Sequence, residues 1–171
     1  MKLPTEIRSF SRDTDWGFLS NFYPCTVKYD DVAYPSVEHA YQAAKTLNLK
    51  EREKFIYAGV TAGRAKAMGD AIKKAGKLRA DWKEVNMGIM KDLLMQKFLP
   101  TRLRRKLLCT FTAELIEGNW WHDTFWGVCE GNCKQGPHEP FGENNLGKLL
   151  MEVRGYYSTY SSRETDATPP L

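Results

Sequence analysis

Apolar residues recur along this chain with two different periods, and the change of period divides it into regions. Over residues 6–34 the alternation is short. Ile7-Arg8-Ser9-Phe10 and Cys25-Thr26-Val27-Lys28-Tyr29 read as small strands, with Asp30-Asp31 as the turn into Val32-Ala33-Tyr34. Pro35 ends the extended stretch, Ser36 offers an N-cap, and the spacing becomes helical over residues 37–47. Residues 51–57 predict a second helix ending at Gly59. Thr61 caps a third that runs through Ile72, with Gly76 beyond its end.

Asp81-x-x-Glu84 has the form of a capping box, opening a long helix to about Leu99 before Pro100 stops it. Its apolar stripe reads as Trp82, Val85, Ile89 and Leu93. Residues 101–109 predict a short basic helix and residues 113–117 a strand. Asn144 or Asn145 then caps a last helix to about Gly155, with Leu146, Leu149, Leu150 and Val153 facing inward. Residues 161–171 have almost nothing to bury, and a disordered tail is expected there. The sum is a predominantly helical α+β fold with short N-terminal β strands, forming a single domain over residues 1–160.

Composition narrows this picture without changing it. A chain of 171 residues that is 42% apolar and 27% charged suits one globular domain. No apolar run approaches the ~20 residues of a membrane span. The first residues lack the apolar region of a signal peptide, so a cytoplasmic address is expected. The net charge of +4 fits an anionic ligand and does not by itself argue for nucleic acid. The densest basic run, Arg102-Leu103-Arg104-Arg105-Lys106, reads as a solvated helix face or as a phosphate contact. Cys25, Cys109, Cys129 and Cys133 are too sparse for a disulfide scaffold. Cys129-x3-Cys133, with His122 upstream and His138 downstream, is a loose zinc candidate, but the spacing matches no standard ribbon or finger, so the expectation is reduced thiols in a glycine-rich loop and no metal.

Three stretches carry candidate chemistry. Trp16-Gly17-Phe18-Leu19-Ser20-Asn21-Phe22-Tyr23-Pro24 sets the polar groups of Ser20 and Asn21 in an aromatic surround, which suits either a core plug or a ribose pocket. In Ser36-Val37-Glu38-His39-Ala40-Tyr41-Gln42-Ala43-Ala44-Lys45, helical spacing aligns Glu38, Gln42 and Lys45 as a polar stripe beside an apolar one containing Tyr41. Glu38 falls in the first turn, where the helix dipole favours its ionised form. Asn119-Trp120-Trp121-His122-Asp123-Thr124-Phe125-Trp126-Gly127 gathers three tryptophans, either as core or as a stacking surface for a base.

The first two stretches, with Ala67-Met68-Gly69, Asp81-Trp82, Trp126-Gly127 and the run from Gly142 to Arg154, resemble the signature of the NADAR (YbiA-like) family over residues 6–156. The resemblance implies a mostly helical fold and hydrolysis of N-glycosidic bonds. The family's substrates are ADP-ribose joined to guanine in DNA or RNA, or phosphoribosylamino-pyrimidine intermediates of riboflavin synthesis. It also implies that Glu38 and Trp126 serve activity, that Asp123 corresponds loosely to an acidic residue near that Trp, and that Lys45 lies on the site helix.

Glu38 would then handle proton transfer, and Lys45 would be either a nucleophile or an electrostatic clamp. Ser20, Asn21, Tyr41, Trp82, Trp126, Asn145 and Gly147 are the expected substrate contacts, although Trp82 suits packing as well, and Asn145 and Gly147 suit a helix cap. No cofactor or metal is required by this chemistry. A module that binds ADP-ribose or NAD derivatives without turnover is the alternative reading. The loop of residues 128–141 is longer than in the simpler bacterial pattern.

Overall fold

The computed structural model describes residues 4–133 and 135–166, with side chains described as far as Thr159. It is a mixed helix-and-strand fold, and its contacts fall into two compact units. One is formed by residues up to Ser20 together with those from Thr101 onward, and the other by residues 21–100.

After β1 (Glu6–Arg8), which belongs to the other unit, the unit of residues 21–100 begins with the antiparallel hairpin β2 (Val27–Tyr29) and β3 (Val32–Tyr34), paired Val27 to Tyr34 and Tyr29 to Val32. Asp30 and Asp31 both take positive φ, 47° and 61°, the geometry of a two-residue turn that follows the natural twist of the strands. Helix α1 (Val37–Ala43) follows, capped by Ser36, whose Oγ accepts from the His39 N–H. All seven of its residues are buried, so it is a core helix rather than a half-exposed one. It ends earlier than the apolar spacing suggested, and Lys45 lies in the turn beyond it, not on the helix.

Asn48 then caps α2 (Leu49–Glu53), which continues as a 3-10 turn over Lys54–Ile56. Thr61 caps α3 (Ala62–Lys74) as its hydroxyl position predicted, and Gly76 at φ 67° closes its end.

Helix α4 (Trp82–Phe98) matches its expected span but differs at its start and on its buried face. Asp81 precedes it without a side-chain cap, because the carboxylate is taken by the Arg79 guanidinium at 2.6 and 2.8 Å. The fully buried positions are Asn86, Met90, Leu93, Leu94, Lys97 and Phe98, whereas Trp82, Val85 and Ile89 are half-buried. Counting only apolar residues misplaced the stripe, since Asn86 and Lys97 belong to it. Lys97 is buried with its ammonium 5.9 Å from the Tyr23 ring centre and 5.2 Å from that of Phe98.

In the other unit, β1 (Glu6–Arg8) pairs in parallel with β4 (Glu114–Ile116). Helix α5 (Thr101–Leu108) buries Leu103 and Leu107. Two of its basic side chains cover aromatic rings, Arg104 over Tyr157 and Lys106 over Phe18, which favours a helix face held on its own unit. Short ladders follow: β5 (Gly118–Asn119) with β6 (Val128–Cys129), and β7 (Asn132–Cys133) with β8 (Gly136–Pro137). Helix α6 (Asn145–Asp166) packs on β4, and its backbone continues past the stop expected at Gly155. The expected tail of residues 161–171 falls on side chains outside the described set, and residues 167–171 lie outside it entirely. Among the described residues, no helix is long and apolar enough to cross a membrane.

Helices α1 and α3 approach closely at one glycine. A Cβ on Gly69 would collide with the Gln42 side chain, whereas one on Gly88 of α4 would meet nothing within 4 Å. Gly69→Ala should therefore lose about 1 kcal/mol or more despite the better helix former, through overpacking. Gly88→Ala should gain up to ~1 kcal/mol. Urea or thermal midpoints of the two variants, measured side by side, check this opposite pair of signs.

Candidate active site

The α1 motif builds a polar site inside an apolar unit. Ser36 and His39 lock its start: Ser36 Oγ lies 2.7 Å from His39 Nδ1, and His39 Nε2 lies 3.0 Å from the Val60 carbonyl. With that carbonyl able only to accept, Nε2 carries the proton and Nδ1 accepts from the serine hydroxyl. His39 is thereby a structural latch of the motif. The Glu38 N–H donates to the Asn21 carbonyl at 3.0 Å, which ties the loop after the aromatic stretch to the first turn of α1.

Glu38 is 6% exposed, and Gln42 Nε2 donates to its Oε1 at 2.8 Å. Burial pushes the Glu38 pKa up, more strongly than the Gln42 hydrogen bond and the charges of Lys66 and Lys45 pull it down. The helix-dipole expectation of a readily ionised carboxylate is thus overridden by desolvation. Lys45 is 8% exposed and shifts the opposite way: burial lowers its pKa against the attractions of Asp70 and Glu38. Its Nζ lies 3.6 Å from Asp70 Oδ1. Acid and amine are both displaced toward their neutral forms, and each feels the charge of the other.

The partners come from α3, where Lys66, Gly69 and Asp70 fall at i, i+3 and i+4 on one face. Reading the sequence for chemistry passed over Lys66 and Asp70, whose spacing from Gly69 was the available signal. Tyr41 packs against Trp82 with ring centres 5.0 Å apart. Asn21 is buried, with Nδ2 donating to Met90 Sδ at 3.5 Å and Oδ1 lacking a partner among the described residues. Gln42 Oε1 and Asn86 Oδ1 are buried without partners among them as well.

Ser20, Asp123, Trp126, Asn145 and Gly147 belong to the other unit. Asp123 is engaged in its own loop: Oδ1 accepts from the Trp126 N–H at 2.9 Å, and its N–H donates to Asn119 Oδ1 at 2.9 Å. Trp126 is half-buried, while Trp120 and Trp121 are more than half exposed, so the tryptophan cluster is not simply core. Asn144 turns its side chain to the neighbouring strand. Its side chain accepts from the Glu117 N–H and donates to the Leu115 carbonyl, fastening the start of α6 to β4. Asn145 Nδ2 donates to Glu143 Oε2 at 2.9 Å. Gly147 lies against the Leu115 carbonyl, with no room for a Cβ.

Glu38 and Lys45 are thus a buried carboxyl group and a buried amine within one unit. The chain belongs to the NADAR family: residues 9–156 match the NADAR domain, a stretch that covers both compact units. It is 35% identical to N-glycosidase YbiA of Escherichia coli (strain K12) over 88% of this chain and 87% of that protein. It is 36% identical to N-glycosidase Npun_R5314 of Nostoc punctiforme over 81% of this chain and 84% of that protein. It is also 33% identical to the riboflavin biosynthesis protein VVA0006 of Vibrio vulnificus, but spans only 36% of that longer protein. The NMR structure of E. coli YbiA superposes with a TM-score of 0.74 at 32% identity, covering 94% of this chain and 89% of that one.

The raised Glu38 pKa has a signed consequence for stability. The folded chain holds this proton more tightly than the unfolded chain, so Glu38 favours folding below the ordinary carboxylate pKa of about 4.3 and loses that favour as pH rises through its folded value. Glu38→Gln, which cannot ionise, should melt above the wild type at neutral pH, with the gap closing below about pH 4. Thermal melts across that range read the crossover.

Proposed function

We propose that this NADAR chain is an N-glycosidase that hydrolyses the bond between an anomeric ribose carbon and an exocyclic amine. The observation that carries the reading is Glu38, a carboxylate buried on α1, hydrogen-bonded by Gln42 and held toward its protonated form. A carboxyl group of that kind can deliver a proton to a departing amine and take one back from water. The relatives named as N-glycosidases match most of this chain, and most of their own length, at 35–37% identity.

Glycosylamines suit the site because their sugar can open to an imine, which a nearby amine can meet. Lys45, with its pKa lowered by burial, has more of the free amine needed to attack that carbon and form a Schiff base. As an ammonium it would instead brace the developing charge. The buried amide oxygens of Asn21 and Gln42 support a polyhydroxylated ligand, since each can accept from a sugar hydroxyl. Two substrate classes carry the required bond: ADP-ribose on guanine in nucleic acid, and phosphoribosylamino-pyrimidine intermediates.

Incubation with guanine-ADP-ribosylated DNA, and separately with a pyrimidine ribosylamine phosphate, should release free sugar from at least one. Glu38→Gln should lower that rate by about 10²–10⁴-fold, the usual contribution of a general acid–base group, while leaving ligand binding in place. ADP-ribose binding without sugar release from either substrate would make the chain a binding module instead. Borohydride added during turnover separates the two roles of Lys45: a trapped adduct, absent in Lys45→Arg, marks it as the nucleophile, and its absence leaves Lys45 as a clamp.

A further inference from the structure

The loop between β5 and α6 does not fold on an apolar core. From Trp120 to Phe141 the fully buried described residues are Gly127, Cys129 and Gly131, and the ladders β5 to β8 are two residues long each. Ladders of that length hold little structure in water by themselves. Yet the chain returns on itself here: the His138 N–H donates to the Gly131 carbonyl at 2.8 Å, and Cys129 and Phe141 exchange backbone hydrogen bonds at 2.9 and 3.1 Å.

Four side chains meet at the centre of this loop. The donor atoms of His122, Cys129, Cys133 and His138 all lie within 4.8 Å of one another. His138 Nε2 lies 3.4 Å from Cys129 Sγ and 3.3 Å from Cys133 Sγ, and His122 Nδ1 lies 3.3 Å from Cys133 Sγ. Thiol–imidazole hydrogen bonds alone account poorly for this. His138 Nδ1 lies 2.7 Å from the Glu139 carbonyl, which fixes its proton on Nδ1 and leaves Nε2 a single lone pair facing two sulfurs.

A tetrahedral ion accounts for it directly. With metal–sulfur bonds of about 2.3 Å and metal–nitrogen bonds of about 2.0 Å, a tetrahedron has sulfur–nitrogen edges of about 3.5 Å. The Nδ1–H donation to a carbonyl is the arrangement that commonly orients a metal-binding histidine. The Gln135 N–H donates to Cys133 Sγ at 3.4 Å. His122 takes a left-handed backbone, φ 68°, which is uncommon for a non-glycine residue. The Phe141 ring covers both imidazoles, with centres 5.4 and 4.9 Å away.

We propose that His122, Cys129, Cys133 and His138 bind one zinc ion in a closed Cys2His2 site that holds the 120–141 loop in place. Two thiolates and two neutral imidazoles offset a divalent charge in sum, and their softness selects zinc over calcium or magnesium. Four protein ligands leave no open position for a reacting water, so the role is structural. The proposal is independent of the glycosidase reading, and either can fail without the other.

The test uses the full chain, reduced, offered one equivalent of zinc and desalted before elemental analysis. One zinc per chain is expected, retained in the Cys25→Ser/Cys109→Ser variant and lost in Cys129→Ser/Cys133→Ser. Cobalt in place of zinc should give the visible bands of a tetrahedral ion with thiolate charge transfer in the wild type, a readout that does not need the double variant to fold. Stripping zinc with a chelator should expose the 120–141 loop to limited proteolysis, reversibly. A metal-free wild-type protein after zinc loading, or cobalt bands of six-coordinate type, would overturn the site. So would a Cys129–Cys133 disulfide that forms in place of metal uptake.

Discussion

At Gly69, helix α3 comes against the side chain of Gln42 with no space for even a methyl group between them. What separates Glu38 from an ordinary surface glutamate follows from that contact. It keeps Gln42 in place, Gln42 donates to the Glu38 carboxylate, and the same face of α3 brings Lys66 and Asp70 into the electrostatic surroundings of Glu38 and Lys45. The charged groups are thereby desolvated together, which is why acid and amine move toward neutrality from opposite directions.

Burial of this kind opposes stability, and the surroundings do not fully offset it. Asn21 Oδ1, Gln42 Oε1 and Asn86 Oδ1 are buried with no partner among the described residues. Each such atom costs roughly 1–3 kcal/mol when nothing meets it. Several unmet acceptors beside a buried carboxyl group keep this unit below the stability its packing alone would give. The rest of the unit compensates with well-formed local structure: side-chain caps at Ser36, Asn48 and Thr61, and a twisted hairpin turn at Asp30 and Asp31.

The 120–141 loop solves a different problem. Its tryptophans do not make a core, as Trp120 and Trp121 are exposed, and its ladders are minimal. Order there comes from polar side chains acting at short range. The Asn119 side chain donates to the Asp123 carbonyl and accepts from its N–H, Asn144 bridges to β4, and the two Cys–His pairs converge. The α1 region is held by packing and the loop by directional contacts, so the two should respond differently to changes in side-chain volume and in donor chemistry.

Local signals were legible in the sequence. The caps at Ser36 and Thr61, the Asp30-Asp31 turn, the long α4 span and the burial of Leu146, Leu149, Leu150 and Val153 depend on near neighbours in the chain, and the motifs around Asn21 and Glu38, taken in order with shorter matches downstream, pointed to the NADAR family. Tertiary structure decided what depends on distant neighbours. It ended α1 before Lys45 and turned α4 so that Asn86 and Lys97 share its buried face. It reversed the helix-dipole expectation at Glu38 and gathered His122, Cys129, Cys133 and His138 despite a spacing that matches no standard metal motif. The reason is common to all of these. Caps and turns are set by bonds a few residues long, whereas desolvation and convergence depend on which surfaces meet after folding, and chain spacing does not encode that distance.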